Sequence, residues 1–123
     1  MRVDTIHELE GLVMGLALAS LAQMRDTRKG PHILPLYSGR VRYQREPIGR
    51  EQWQTAFETS LHGSGDCEDL TAYRVAELWH TGEDREARPQ VIAVTPTLRH
   101  VVVRRGNGAI EDPSKKLGMK GKA

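Results

Sequence analysis

The sequence predicts an α+β fold, and three observations lead to it. Apolar residues recur at helical spacing in three stretches before residue 82. β-Branched residues are concentrated between residues 91 and 104, where the period changes to that of strands. Gly106, Asn107 and Gly108 then give a strong hairpin signal ahead of one more short strand. Helices followed by an antiparallel sheet are the α+β arrangement.

The length of 123 residues fits one domain over 1–123 and leaves little room for a second. A chain of this size can bury a core without a disulfide or a structural metal. We expect an N-terminal helix over 1–25, a central unit over 63–118, and a frayed basic tail over 119–123.

The first helix should open with a capping box, because Thr5 and Glu8 stand three residues apart, and it should end near Arg25. Its apolar residues cover a wide arc, so we expect most of the helix to be buried. Residues 26–49 are rich in proline and glycine and should be mainly loop, with a short irregular strand around Val41 and Tyr43.

Two further helices are expected, over 50–61 and from Cys67 to Trp79 or His80. Trp53 is expected to anchor the second of the three helices in the core. Asp66 suits the N-cap of the third, which should stop before Gly82. Strands then fit 91–94, 99–104 and 109–111.

The charge balance argues against several classes of partner. Net charge is +2, and the few aromatic residues are not interleaved with the basic ones, so neither a nucleic-acid platform nor a membrane-surface protein is indicated. The apolar segment 12–24 is too short to span a bilayer, and the acidic residues ahead of it do not suit a signal peptide. We expect a cytoplasmic protein, or one incorporated into a larger particle.

Cys67 is the only cysteine in the chain, so it can form no internal disulfide. It follows a segment with two glycines, 63–66, and opens a predicted helix. His100 comes later on a predicted strand, and Asp112 follows the next strand. A lone cysteine is often an inert buried residue, yet a thiol, an imidazole and a carboxylate in this order match a Cys-His-Asp catalytic triad.

In this hypothesis Cys67 is the nucleophile, His100 the general base and acid, and Asp112 the group that orients the imidazole. A hairpin centred on Asn107 pairs residue 102 with residue 112, which puts Asp112 within about one cross-strand step of His100. Such a triad performs acyl transfer on an amide, with a thioester intermediate.

The thiolate should be favoured by the start of the third helix and by a neighbouring imidazolium. The acidic residues Asp66, Glu68 and Asp69 oppose this, so their side chains should point away from the sulfur or be neutralised. The backbone N–H of Cys67 would stabilise the oxyanion, together with one further donor. Its candidates upstream in the sequence are Gln52, Trp53 and Gln54, and the sequence does not choose among them.

The ordered segments 65–69, 87–91, 100–103 and 108–114 resemble the core of transglutaminase-like cysteine peptidases, which have a papain-like fold. Residues near 43–53 and 117–119 further resemble short members encoded by phages and prophages. The resemblance implies the roles given above for Cys67, His100 and Asp112. It also implies a peptide or protein amide substrate, phage structural proteins as possible partners, and a location in the host cytoplasm or the virion. The valines after His100 depart from the aromatic residue often found there in the larger family.

Two alternatives stay open at this point. The same site could transfer the acyl group to an amine and so form crosslinks. Alternatively, the chain could be a non-catalytic structural or assembly component of a phage particle. No cofactor is implied, and because the histidines show no ligand spacing, no metal site is predicted.

Overall fold

The computed structural model describes residues 3–45, 53–96 and 98–119. Over these residues the fold is α+β, as predicted. The helices are α1 (Val3–Arg25), α2 (Ala56–His62), α3 (Cys67–Thr81) and α4 (Pro113–Lys116). The strands are β1 (Arg42–Tyr43), β2 (Ser64–Gly65), β3 (Arg88–Ala93), β4 (Arg99–Arg104) and β5 (Ile110–Glu111). Single 3₁₀ turns occur at Gly30–His32 and Leu36–Ser38.

The larger sheet is antiparallel, in the order β3-β4-β5. Val91 pairs with Val101, and Val103 pairs with Glu111. Continued by one step, this second register sets residue 102 opposite residue 112, which confirms the predicted hairpin alignment. Gly108 allows the turn because its φ of +91° lies in the left-handed region that glycine tolerates. A separate two-stranded parallel sheet joins β1 to β2.

Helix α3 lies at the centre of the molecule, and two apolar clusters share it. One side packs Ala72, Val75 and Leu78 against α1 and the β3–β4 strands. The other side packs Leu70 and Tyr73 against the loop before β1 and the start of α2. Buried on both sides, α3 has little freedom to shift, so its first residue has a fixed position.

Helix α1 differs from the prediction at its start and in its burial. It begins at Val3, so Thr5 lies inside the helix and not at the expected N-cap position. Only a narrow stripe of residues, including Val13 and Ala17, is fully buried. Leu12 and Leu18 are 59% and 54% exposed, because α3 and β3 cover one face of the helix and leave the opposite apolar face uncovered.

Helix α2 starts later than predicted. Thr55 is its N-cap and forms a capping box with Glu58, so the helix begins at Ala56. Trp53 precedes the cap and is 38% exposed, so it is not the expected core anchor. Residues 50–52, where the helix was expected to begin, lie outside the described residues.

Among the residues that the structure describes, no helix is long and apolar enough to cross a membrane. Residues 120–123 of the expected tail lie outside the described part of the chain.

Candidate active site

Cys67 is the first residue of α3, and the cap of that helix fixes its position. Asp66 is the N-cap, and its side chain accepts a hydrogen bond from the Asp69 backbone N–H. The Asp69 side chain accepts in return from the Asp66 backbone, completing a capping box. Gly65 is needed for this approach, because a Cβ there would come within 2.9 Å of the Asp69 Cβ. Two of the three acidic neighbours are therefore engaged in the cap.

A buried polar network holds the segment before α2 against the first turn of α3. The backbone N–H of Gln54 donates to Asp69 Oδ1 at 2.9 Å, and its side-chain amide donates to the Ser64 carbonyl at 3.0 Å. The same amide also reaches Thr59 and Asp69, and the Gln54 carbonyl oxygen accepts from His62 Nδ1. With its donors engaged inside the fold, Gln54 is not the second oxyanion donor.

Trp53 and Gln52 were the other candidates for that donor. Gln52 lies outside the described residues. Trp53 is half-exposed and directly precedes Gln54, whose backbone is held against α3. The structure describes two of the three candidates, Trp53 and Gln54. Only Trp53 keeps a side-chain N–H, that of the indole, which takes no part in the polar network around Asp69.

His100 and Asp112 are brought together across the β4–β5 hairpin. His100 Nε2 lies 2.9 Å from Asp112 Oδ2. Asp112 is also the N-cap of α4, where its Oδ1 accepts from the Lys115 backbone N–H at 3.3 Å. One carboxylate oxygen is thus fixed by the helix start and the other by the imidazole. Since the imidazole uses Nε2 for Asp112, Nδ1 is its other nitrogen for proton transfer.

The sulfur of Cys67 lies beside β4 but is not bonded to the imidazole. Its hydrogen bond goes to Glu68 Oε1, at 3.6 Å. Among the described residues, no hydrogen bond joins the sulfur to the His100 ring. Cys67 packs against the apolar cluster that includes Val101, the residue after His100, and the Val101 backbone N–H lowers the pKa of the thiol. The structure therefore pairs His100 with Asp112, and it packs the third member of the predicted triad, Cys67, against the strand that carries His100.

The thiol is less acidic in this setting than the sequence predicted. Burial raises the pKa of Cys67, and the negative charge of Glu68 raises it further, against a lowering effect of the Val101 N–H. Glu68 does not point away from the sulfur, which corrects the expectation above. Burial and the neighbouring Asp66 also raise the pKa of Glu68 to about 7.

Tyr43 is a further group beside the thiol. Tyr43 lies on β1 and pairs with Gly65 of β2, two positions before Cys67. Burial raises the pKa of the Tyr43 phenol, and the charges of Cys67 and Asp66 raise it further. The sequence offered no periodic signal for this placement, because a two-residue parallel pairing leaves no pattern along the chain.

Behind Asp112, its neighbour Glu111 is the centre of a buried ion-pair network. Glu111 accepts from Arg74 Nε at 2.7 Å, from Arg105 Nη1 at 2.8 Å and from the Tyr37 hydroxyl. Burial alone would raise the pKa of Glu111, but these donors outweigh it and leave the pKa below its ordinary value. The network connects the end of β5 to α3, which also carries the cysteine.

No group of three or more histidine, cysteine, aspartate or glutamate side chains in the described ranges could hold a metal ion. The chain matches no family model, and no curated protein or solved structure matches it either.

Proposed function

We propose that the protein is a cysteine-dependent amide hydrolase that acts through a thioester at Cys67, with His100 and Asp112 completing the triad. The observation that carries the proposal is the 2.9 Å pairing of His100 Nε2 with Asp112. That pairing orients an imidazole on β4, and the next residue of this strand, Val101, belongs to the apolar cluster against which Cys67 packs. A carboxylate that fixes the ring in this way is the usual third member of such triads.

The reaction begins when the thiol leaves Glu68 and passes its proton to His100 Nδ1. The sulfur then attacks the carbonyl carbon of the amide, and the negative charge forms on the carbonyl oxygen. The Cys67 backbone N–H is free for this oxygen, because the first amides of a helix have no intrahelical partner. The Trp53 indole N–H is our choice for the second donor.

His100 next protonates the amine, which leaves as the C–N bond breaks and a thioester forms on Cys67. A water molecule gives its proton to His100 and attacks the thioester. The acid product departs as the proton returns to the sulfur. In this proposal the chain is a short member of the transglutaminase-like cysteine peptidases with a papain-like core, and its substrate is a peptide or protein amide. A phage origin, acting in the host cytoplasm or virion, fits the same resemblance.

The proposal is tested by comparing the proteomes of cells that produce the wild type, Cys67→Ala or His100→Ala. We expect new protein termini with the wild type and none with either variant. His7→Ala is the matched control, because His7 is exposed on α1 far along the chain from the site, and it should behave as the wild type. New termini that persist in Cys67→Ala, or none in any sample, would overturn the proposal.

An amine could replace water as the acyl acceptor, which would give crosslinks. The same experiment separates the two outcomes, since transfer yields isopeptide-linked peptides and ammonia, whereas hydrolysis of a peptide bond yields new termini.

An assembly role is the second candidate function, and the exposed Leu12 and Leu18 on α1 favour it. If the protein is purely structural, Cys67→Ala should leave particle formation unchanged. The proteomes of cells with the wild type and with the variant should then show the same termini and crosslinks.

A further inference from the structure

We infer that a basic groove on the side of the molecule formed by α1 and the end of α3 binds an acidic peptide segment that carries an apolar side chain. The groove has a volume of about 580 Å³. This is within the range of sites that hold a few side chains or a small ligand. The inference does not depend on the proposed function, because none of the lining residues belongs to the triad.

Three arginines and one histidine line the groove: Arg25, His80, Arg85 and Arg88. The three guanidinium groups are always charged. Within the described ranges, none of them forms an ion pair with a carboxylate. Arg88 donates only to the carbonyl oxygens of Arg85 and Ala87. Their charge is therefore available to a partner.

Apart from Glu8, which is exposed on α1, the described acidic residues on the elements around the groove face other partners. In the loop after α3, Asp84 and Glu83 pair with Arg105, and Glu86 lies against Gly106 on the β4–β5 hairpin. On α1, Glu10 accepts from the Val91 backbone N–H, and on α3, Glu77 pairs with Arg74. The acidic residues of the loop after α3 thus face the hairpin, whereas Arg85 of the same loop and Arg88 at the start of β3 line the groove.

The floor of the groove is apolar. Met14, Leu18 and Trp79 line it, and Leu18 is more than half exposed. The Trp79 indole N–H donates to the Ala87 carbonyl at 3.0 Å, so the ring presents apolar surface rather than a donor. The Arg88 guanidinium lies 5.9 Å from the centre of that ring. An aliphatic or aromatic side chain fits this floor.

The combination indicates the class of partner. Guanidinium groups bind carboxylates through paired hydrogen bonds, and an apolar floor between them suits a hydrophobic side chain flanked by acidic residues. A nucleic acid would need cations along a longer track than the three arginines of this groove provide. We therefore assign an acidic, amphipathic peptide segment as the ligand.

The test measures binding of a short fluorescein-labelled peptide, Glu-Leu-Glu-Asp-Phe-Glu, to the full chain by fluorescence polarisation at physiological salt. Cys67→Ala is used throughout, so that cleavage of the peptide does not interfere. We expect saturable binding. It should weaken about tenfold or more in the double variant Arg25→Gln/Arg85→Gln, and about fivefold in Leu18→Ser. Because all three residues are exposed, the variants should keep the wild-type circular dichroism spectrum.

The matched control is Arg28→Gln/Arg104→Gln, which removes the same charge from exposed positions outside the groove and should leave the affinity unchanged. Equal binding of a peptide with serine in place of leucine and phenylalanine would overturn the inference. So would equal weakening in the control. Groove-dependent binding of single-stranded DNA or anionic vesicles in preference to the peptide would overturn the assignment of a peptide ligand.

Discussion

At the scale of single residues, burial and then the charge of Glu68 lower the reactivity of Cys67, because both raise the pKa of its thiol. A thiol at a helix start usually gains from the helix dipole, but here the adjacent carboxylate accepts a hydrogen bond from the thiol at 3.6 Å and opposes the thiolate. The sequence placed both residues side by side, yet it could not specify the rotamer that turns Glu68 toward the sulfur. In the proposed mechanism this contact holds the resting thiol away from His100 until a substrate displaces it.

Replacing Glu68 with glutamine should therefore make Cys67 more reactive. Loss of the neighbouring negative charge lowers the pKa of the thiol. Each unit of lowering gives about ten times more thiolate at a pH below that value. We expect iodoacetamide to label Cys67 about tenfold faster in Glu68→Gln at pH 8, as measured by intact mass spectrometry. Glu8→Gln, an exposed change on α1, should match the wild type. A rate in Glu68→Gln at or below that of the wild type would contradict the role assigned to Glu68.

At the scale of secondary-structure elements, the hairpin explains how Asp112 reaches His100. Strand β5 has only two residues, so its ladder with β4 contributes few hydrogen bonds. The ion pairs of Glu111 with Arg74 and Arg105 supply the missing connection to α3 and to the turn. Removing one partner of a buried pair is costly, because the remaining charges lose their compensation.

Glu111→Gln should therefore destabilise the protein. We expect the free energy of unfolding, measured by urea denaturation at pH 7, to fall by about 3 kcal/mol. The comparison variant is Glu83→Gln, whose carboxylate is exposed and lies 3.4 Å from Arg105. It should cost less than about 1 kcal/mol. Similar losses for the two variants would mean that the network contributes no more than a surface ion pair.

The sequence could predict those elements whose signals are local. The caps at Asp66 and Gly82 and the turn at Gly108 fixed the bounds of α3 and the register that brings Asp112 to His100. Contacts between distant segments could not be predicted in this way. The position of Tyr43 beside Cys67, the exposure of Trp53 and the partners of Glu111 depend on three-dimensional packing, which leaves no periodicity in the chain.

At the scale of the whole molecule, the pKa values of three carboxyl groups on or beside α3 shift in opposite directions. Burial and Asp66 raise the pKa of Asp69 to about 8 and that of Glu68 to about 7. Glu111 behaves in the opposite way, because its cationic partners leave its pKa below the ordinary value. The first two groups favour the folded state when protonated, and the third favours it when ionised.

These shifts predict that stability is greatest near pH 5. The ordinary pKa values of Glu68 and Asp69 are 4.5 and 3.8, so between about pH 4 and pH 8 the folded chain holds protons that the unfolded chain has released. The free energy of unfolding therefore falls as pH rises through this window. We expect it to be lower at pH 8.5 than at pH 5 by about 2 kcal/mol or more, measured by urea denaturation.

Below about pH 4.5 the contribution of Glu111 is lost as its carboxylate becomes protonated, which lowers stability on the acid side. Glu68→Gln should reduce the loss between pH 5 and pH 8.5, whereas Glu8→Gln should not change it. A stability that rises from pH 5 to pH 8.5 in the wild type would show that Glu68 and Asp69 are ionised throughout this range.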